Sequence, residues 1–273
     1  MTENTLKPYV IGLDLGGTNS VFGIVDARGE IKATTAIKTG GYDKVDDYVK
    51  ASVEALQPII ETVGGIEKIK AMGIGAPNGN FYTGAIEFAP NLAWAHDGVV
   101  PLADMFSKAL GIPVALTNDA NAAALGEMTY GAARGMKNFI DITLGTGVAR
   151  TAREFLETSD EPSLLREMDP EKITSYDVSV AASKGDALAK RIYDFTGKML
   201  GEACANFAAF SAPEAFVFFG GLTKAGDLLM KPLKEAYDKN VLKIYKGKAK
   251  FLISTLDGSS AAVLGASAVA WDL

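Results

Sequence analysis

The sequence predicts an α/β protein. Three observations carry that reading. Apolar strand-like runs alternate with helical stretches along the chain. Glycine is in excess, 29 of 273 residues, against a usual share of ~7%. The glycines also gather where apolar runs end, and a strand-then-glycine theme occurs twice, at 11–18 and 142–147, which points to two related halves.

The elements follow in order. Residues 9–15 read as a buried strand, 16–19 as a turn and 20–26 as the returning strand, with a second turn at 27–30 and a third strand over 31–38. Two antiparallel hairpins in a row are the expected N-terminal unit. Residues 43–63 place Val45, Val49, Val53, Leu56 and Ile60 on one helical face. Residues 71–76 form an apolar strand ending at Pro77, 102–110 a short helix, 114–117 a strand and 119–128 a helix that follows at once. Residues 139–144 are a strand running into Gly145-Thr146-Gly147. Later come helices at 186–209, 223–240 and 260–271, with strands at 215–219 and 251–254.

Composition narrows the chemistry. The charge balance, 27 Lys and Arg against 33 Asp and Glu for a net −6, argues against a general nucleic-acid or anionic-membrane binder. A single cysteine, Cys204, excludes an intramolecular disulfide and a Cys-rich zinc site. A single histidine, His96, excludes an HExxH pair and reads as a loop residue. The first residues lack the basic and apolar regions of a signal peptide, and the apolar stretch 261–271 is too short to span a bilayer. The expected setting is soluble and cytoplasmic.

Asp14-Leu15-Gly16-Gly17-Thr18 brings a strand into two glycines and a hydroxyl. Glycines let successive N–H groups approach an anion closely, and Asp14 stands where it can hold a hydrated Mg²⁺ against a phosphate. A plain hairpin turn is the other reading of these residues. Leu144-Gly145-Thr146-Gly147 repeats the chemistry after Ile140-Asp141-Ile142. Neither turn has Walker A spacing. Asn118-Asp119-Ala120-Asn121 lies between strand and helix. Asp119 there is either a helix cap or a base for a substrate hydroxyl in phosphoryl transfer. Phe219-Gly220-Gly221 is a tight strand-to-helix turn, or bare backbone against which a flat adenine can lie. Pro90-Asn91-Leu92-Ala93-Trp94 puts an amide beside an indole, suited to a sugar or to the core.

In this order the motifs D-L-G-G-T (14–18), G-A-P (75–77), P-N-L-x-W (90–94), N-D-A-N (118–121), L-G-T-G (144–147) and F-G-G (219–221), with the 261–266 helix, resemble the sugar kinases of the actin-like ATPase superfamily. Within it they are most similar to the ROK family (repressors, open reading frames and kinases), glucokinase type. The resemblance covers nearly the whole chain. It implies two RNase-H-like lobes with a central cleft: residues 1–116, with the C-terminal helix 260–272 a candidate to pack back on them, and residues 117–273. It implies ATP-dependent phosphorylation of a hexose hydroxyl. Asp119 would be the general base, and Asp14, Gly16, Gly17, Thr18, Gly145, Thr146 and Gly147 would bind phosphates. Gly220 and Gly221 would lie beside the adenosine, Asn78, Asn91, Asn118 and Asp119 would bind the sugar, and Asp14 would hold Mg²⁺ through water. Partners would be the sugar and ATP, with no nucleic acid and no membrane, and a homodimer is compatible with the family.

One departure stands out. Family members continue from the second glycine turn through a hairpin, a Glu-Gly-His motif and a Cys-rich zinc motif, whereas this chain passes from Gly147-Val148 into Ala149-Arg150-Thr151-Ala152. No zinc site is expected. The same departure raises an alternative function: a catalytically impaired nucleotide- or sugar-binding protein on a kinase scaffold.

Overall fold

The computed structural model describes residues 7–145, 147–256 and 258–273. The chain forms two compact units, one made of residues up to Gly135 together with Thr255–Leu273, the other of Met136–Ser254.

The first unit opens with β1 (Tyr9–Leu15), β2 (Asn19–Asp26) and β3 (Ile31–Lys38), an antiparallel meander. Helix α1 (Val45–Thr62) leads to β4 (Ile69–Ala76), which pairs parallel with β1. Three short strands, β5 (Gly79–Asn80), β6 (Ala85–Glu87) and β7 (Val99–Val100), make a small antiparallel sheet where the sequence reading assigns no element. Helix α2 (Leu102–Leu110) precedes β8 (Val114–Asn118), which joins β4 in parallel, and α3 (Asp119–Thr129) follows without a linker. The sheet order is β3-β2-β1-β4-β8.

The second unit contains β9 (Phe139–Thr143), α4 (Gly147–Thr158), α5 (Ser175–Ser183), α6 (Ala187–Ser211), β10 (Ala215–Phe219), α7 (Asp227–Asn240) and β11 (Lys250–Ile253). Its sheet, ordered β11-β10-β9, is wholly parallel. The chain then returns to the first unit as α8 (Gly258–Ala270).

Both faces of the first sheet are covered, which is why β1 and β4 are nearly continuous apolar runs rather than alternating ones. Ile11, Leu13 and Leu15 join Tyr48, Leu56, Ile74 and Phe106 in the larger core. Val10, Val25 and Ala71 face the other way, against Val263, Leu264 and Ala270 of α8. Glycine brings α8 onto the sheet: a Cβ on Gly12 would stand 2.2 Å from the Val263 carbonyl, and one on Gly73 2.0 Å from that of Ala266.

The division of the chain differs from the sequence reading, which ends the first lobe at residue 116. Two packing facts tie β8 and α3 to the first unit. β8 pairs with β4 from Met72↔Val114 to Ala76↔Asn118. α3 packs closely on α8, where a Cβ on Gly265 would lie 2.6 Å from the Ala122 carbonyl. Asp119 therefore sits in the same unit as Asp14.

In the second unit Phe216, Phe218, Tyr237 and Phe251 form an aromatic core, with Tyr237 edge-on to Phe251 at 4.8 Å. Cys204 is buried in α6, and burial pushes its thiol up to about 12. Among the described residues no helix is long and apolar enough to cross a membrane.

Candidate active site

The parallel strands of the first unit end together. Register pairs Asp14 of β1 with Gly75 of β4, and Gly75 with Thr117 of β8. The C-terminal ends of such strands are where open α/β sheets place ligands. Beyond β1 the chain turns through Gly16 to Asn19, closed by the Gly16 N–H donating to the Asn19 carbonyl at 3.0 Å. Gly17 and Thr18 lie exposed at the tip.

Beyond β8, Asn118 caps α3. Its side-chain oxygen accepts from the Asn121 N–H at 2.8 Å. Asp119, the first helical residue, is exposed, and its Oδ1 accepts from the Ala120 N–H at 2.9 Å. The cap is thus supplied by Asn118, and Asp119 keeps a second carboxylate oxygen for other chemistry. The Asp14 carboxyl is held above its ordinary range, first by burial and then by the charge of Asp119.

The asparagines proposed for sugar recognition divide. Asn91 is exposed and rests on the glycine turn: a Cβ on Gly17 would stand 3.1 Å from the Asn91 Cβ and 3.2 Å from its carbonyl. Asn78 has a left-handed backbone (φ 52°), and its amide nitrogen donates to the carbonyls of Glu87 (3.0 Å) and Phe88 (2.9 Å). Its amide N–H groups hold the small sheet together, so only its side-chain oxygen remains for a ligand. His96 is exposed and pairs with the adjacent Asp97 at 2.6 Å.

The second unit presents its own pair of glycine turns. Leu144 donates its N–H to the Phe219 carbonyl at 2.7 Å, so the turns after β9 and β10 lie side by side. Gly220 has φ 112°, and a Cβ there would be 2.3 Å from the Leu144 carbonyl. Only glycine permits both features. At Gly145, Gly147 and Gly221 an added Cβ would meet nothing within 4 Å, so this backbone is bare to an approaching ligand. Helix α4 starts at Gly147, directly after the turn, and gives the anion-binding character of a helix N-terminus. Thr146, assigned to the same phosphate turn, lies outside the described residues.

Among the described residues no cluster of three or more His, Cys, Asp or Glu can hold a metal ion. A half-buried Asp14, held above its ordinary range first by burial and then by the charge of Asp119, fits a hydrated Mg²⁺, which binds through one or two carboxylates plus phosphate oxygens rather than in an all-protein cage.

Comparison with known proteins adds the following. The ROK family model matches residues 10–151 and 156–272. The glucokinase of Halalkalibacterium halodurans is 31% identical, with 94% of this chain and 93% of that protein aligned. The alignment runs over 314 residues, although this chain has 273, so it spans stretches that this chain lacks. The crystal structure of a ROK family glucokinase from Streptomyces griseus in complex with glucose and AMPPNP superposes with a TM-score of 0.72 at 26% identity, covering 95% of this chain and 98% of that one. A 25-residue glucomannokinase sequence from Segatella bryantii is 84% identical over its whole length, which is 9% of this chain.

Proposed function

The chain belongs to the ROK family, and from that premise we propose that it is an ATP-dependent hexose kinase whose general base is Asp119. The observation that carries the reading is the pairing, in one unit, of an exposed Asp119 at the start of α3 with Asp14 beside the Gly16–Thr18 turn. On this reading the proton acceptor, which follows β8, and the phosphate turn, which follows β1, stand at the ends of two strands of one sheet.

Asn91 and the amide group of Asn118 orient the hexose, with the Asn78 oxygen as a further acceptor. Asp119 takes the proton from the sugar hydroxyl as that oxygen attacks the terminal phosphorus of ATP, and the bond to the ADP oxygen breaks. Gly16, whose N–H closes the turn onto Asn19, shapes it for phosphate, and the N–H groups of Gly17 and Thr18 hold phosphate oxygens; Gly145, Thr146 and Gly147 are the phosphate-binding residues of the second glycine turn. Gly220 and Gly221 give the adenosine a backbone surface without side chains. Asp14 would hold a hydrated Mg²⁺, which when bound would supply positive charge to the phosphates.

The substrate class proposed is glucose together with mannose. The glucomannokinase fragment favours both, and the two sugars differ only in configuration at C2. Asn91, Asn118 and Asp119 then recognise hydroxyls that the epimers share. The partners proposed are sugar and nucleotide, without nucleic acid or membrane, in the cytoplasm. A homodimer has an apolar face to form on, since Phe195, Met199, Phe207 and Phe210 are exposed along α6. The alternative of an impaired binding protein is not supported, because relatives aligned over nearly the whole chain are glucokinases.

Asp119→Asn tests the reading. It is expected to lower kcat by ~10²–10⁴-fold while glucose still binds, the range for loss of a general base. Hexose-dependent ADP release at the wild-type rate in that variant would remove Asp119 from its role.

A further inference from the structure

Behind the first glycine turn runs a chain of buried hydroxyls. The Thr39 N–H donates to the Thr18 carbonyl at 2.9 Å. The Thr39 hydroxyl is hydrogen bonded to that of Ser20 at 2.7 Å, and the Ser20 hydroxyl to that of Tyr48 at 2.8 Å. Ser20 and Tyr48 are fully buried and Thr39 is 2% exposed. An apolar core at these positions would need no hydroxyl; these three are satisfied by one another, and their chain ends on the peptide of the phosphate turn. Burial pushes the Tyr48 hydroxyl up to about 12, so it stays protonated through the working range of pH.

The other side of Tyr48 meets the sugar loop. Its ring stacks on Trp94 at 5.2 Å and 23°, and Tyr42 and Phe106 stand edge-on to it. Trp94 lies in a single turn of 3-10 helix, Ala93–Ala95, immediately after Asn91 and Leu92. The indole N–H of Trp94 is buried without a hydrogen-bond partner among the described residues, so the ring is held there for its face rather than for its polar group. The two loops also touch directly, at Gly17 against Asn91. That contact leaves no room for a Cβ without a shift of a few tenths of an ångström.

Resting on the kinase reading above, we propose that Tyr48 is a positioning residue that ties the Asn91 loop to the Gly16–Thr18 turn, so that hexose and nucleotide strengthen each other's binding. A sugar held by Asn91 restrains the Ala93–Ala95 turn and its stack on Tyr48. Tyr48, through Ser20 and Thr39, restrains the Thr18 peptide. Phosphate then meets a turn that is already ordered, and the ordering cost is met once for two ligands. Linkage makes the effect reciprocal: nucleotide tightens sugar by the same factor.

The test measures AMPPNP affinity by calorimetry with and without saturating glucose. It uses the wild-type chain, Tyr48→Phe, Thr39→Val and the double variant, and steady-state kinetics are run alongside. Tyr48→Phe removes the hydroxyl and keeps the stack; Thr39→Val cuts the same chain one link further on. The wild type is expected to bind AMPPNP ~5–150-fold more tightly with glucose, the usual span of coupling between sites. Each single variant should bring that ratio close to one, and the double variant should add nothing further. The KM for ATP should rise, while kcat at saturation changes little. A merely structural role would lower the unfolding temperature and leave the ratio intact, and that result overturns the proposal. So does a wild-type ratio of one in a chain that still releases ADP in response to hexose. Absence of hexose-dependent ADP release from the folded wild type would overturn the kinase reading itself, and this inference with it.

Discussion

The two units share a plan and differ at one edge. Each has three parallel strands in order, β1-β4-β8 in the first and β9-β10-β11 in the second, and in each a glycine turn follows the strand that opens the series. In the first unit the chain leaves its turn as β2 and β3, which pair along β1. In the second it leaves directly as α4, and among the described residues β9 has no strand on its outer side. Burial follows: the residues of β1 between its first and last two are fully buried, whereas every residue of β9 is half-buried or exposed. The chemistry at the turns differs too. Asp14-Leu15-Gly16 in the first unit answers to Thr143-Leu144-Gly145 in the second, so a carboxylate stands where its counterpart has a neutral hydroxyl. On the proposed reading, two bare glycine turns on a short parallel sheet serve as a nucleotide surface, and proton and metal chemistry falls to the charged strand end of the first unit.

The largest effect that can break this comparison is at Asp14. Asp14→Asn should lower turnover by ~10²-fold or more, the usual scale for loss of an oriented electrostatic group. Thr143→Val, the matching change in the second unit, should have a far smaller effect. The same Asp14 variant should be more stable than wild type without ligand. Burial, and then the charge of Asp119, hold the carboxyl above the ordinary 3.8, so the folded chain prefers it protonated. Its favourable contribution is therefore complete below the unfolded value and is lost as pH rises through the folded one. The two proteins should unfold at similar temperatures in acid and diverge toward neutral pH, with the variant higher. A variant that is less stable at neutral pH would contradict the assigned environment.

A smaller effect sharpens the second half of the comparison. Gly220→Ala places a Cβ 2.3 Å from the Leu144 carbonyl at φ 112°. It should cost roughly 3 kcal/mol in denaturant unfolding, combining left-handed strain with a forced separation of the two turns. Gly221→Ala, whose Cβ would meet nothing within 4 Å, should change stability little. Equal losses from both would mean that the two turns are not packed together.

Much of this was legible in the sequence, because its signals are local. The hairpins around Gly16 and Gly29, the α6 and α8 helices, and the order of the glycine turns all follow from apolar period and glycine position. The unit boundary was not, since the attachment of β8 to β4 and of α3 to α8 is a long-range pairing with no local mark. The β5–β7 sheet was also missed: two of its strands have only two residues each, and its cohesion comes from the Asn78 amide reaching the Glu87 and Phe88 carbonyls. Helix α5 did carry a signal, the Thr174 and Asp177 capping box. Of the proposed site, Asp14, Asp119 and the glycines are the residues that type and spacing single out. The Tyr48–Ser20–Thr39 chain was not, because three hydroxyls from α1, β2 and the end of β3 meet only once the sheet is formed.

The claim at the centre is that the first unit supplies the proton acceptor, the Mg²⁺-holding carboxylate and one phosphate turn, and that the second, with no return strand beside β9 among the described residues, still serves the nucleotide. The measurement that reaches it most directly is ADP release by the unaltered chain with Mg²⁺ and ATP across a panel of hexoses. Saturable release with glucose and with mannose is the predicted result. A folded protein that binds ATP but releases no ADP with any hexose would contradict it.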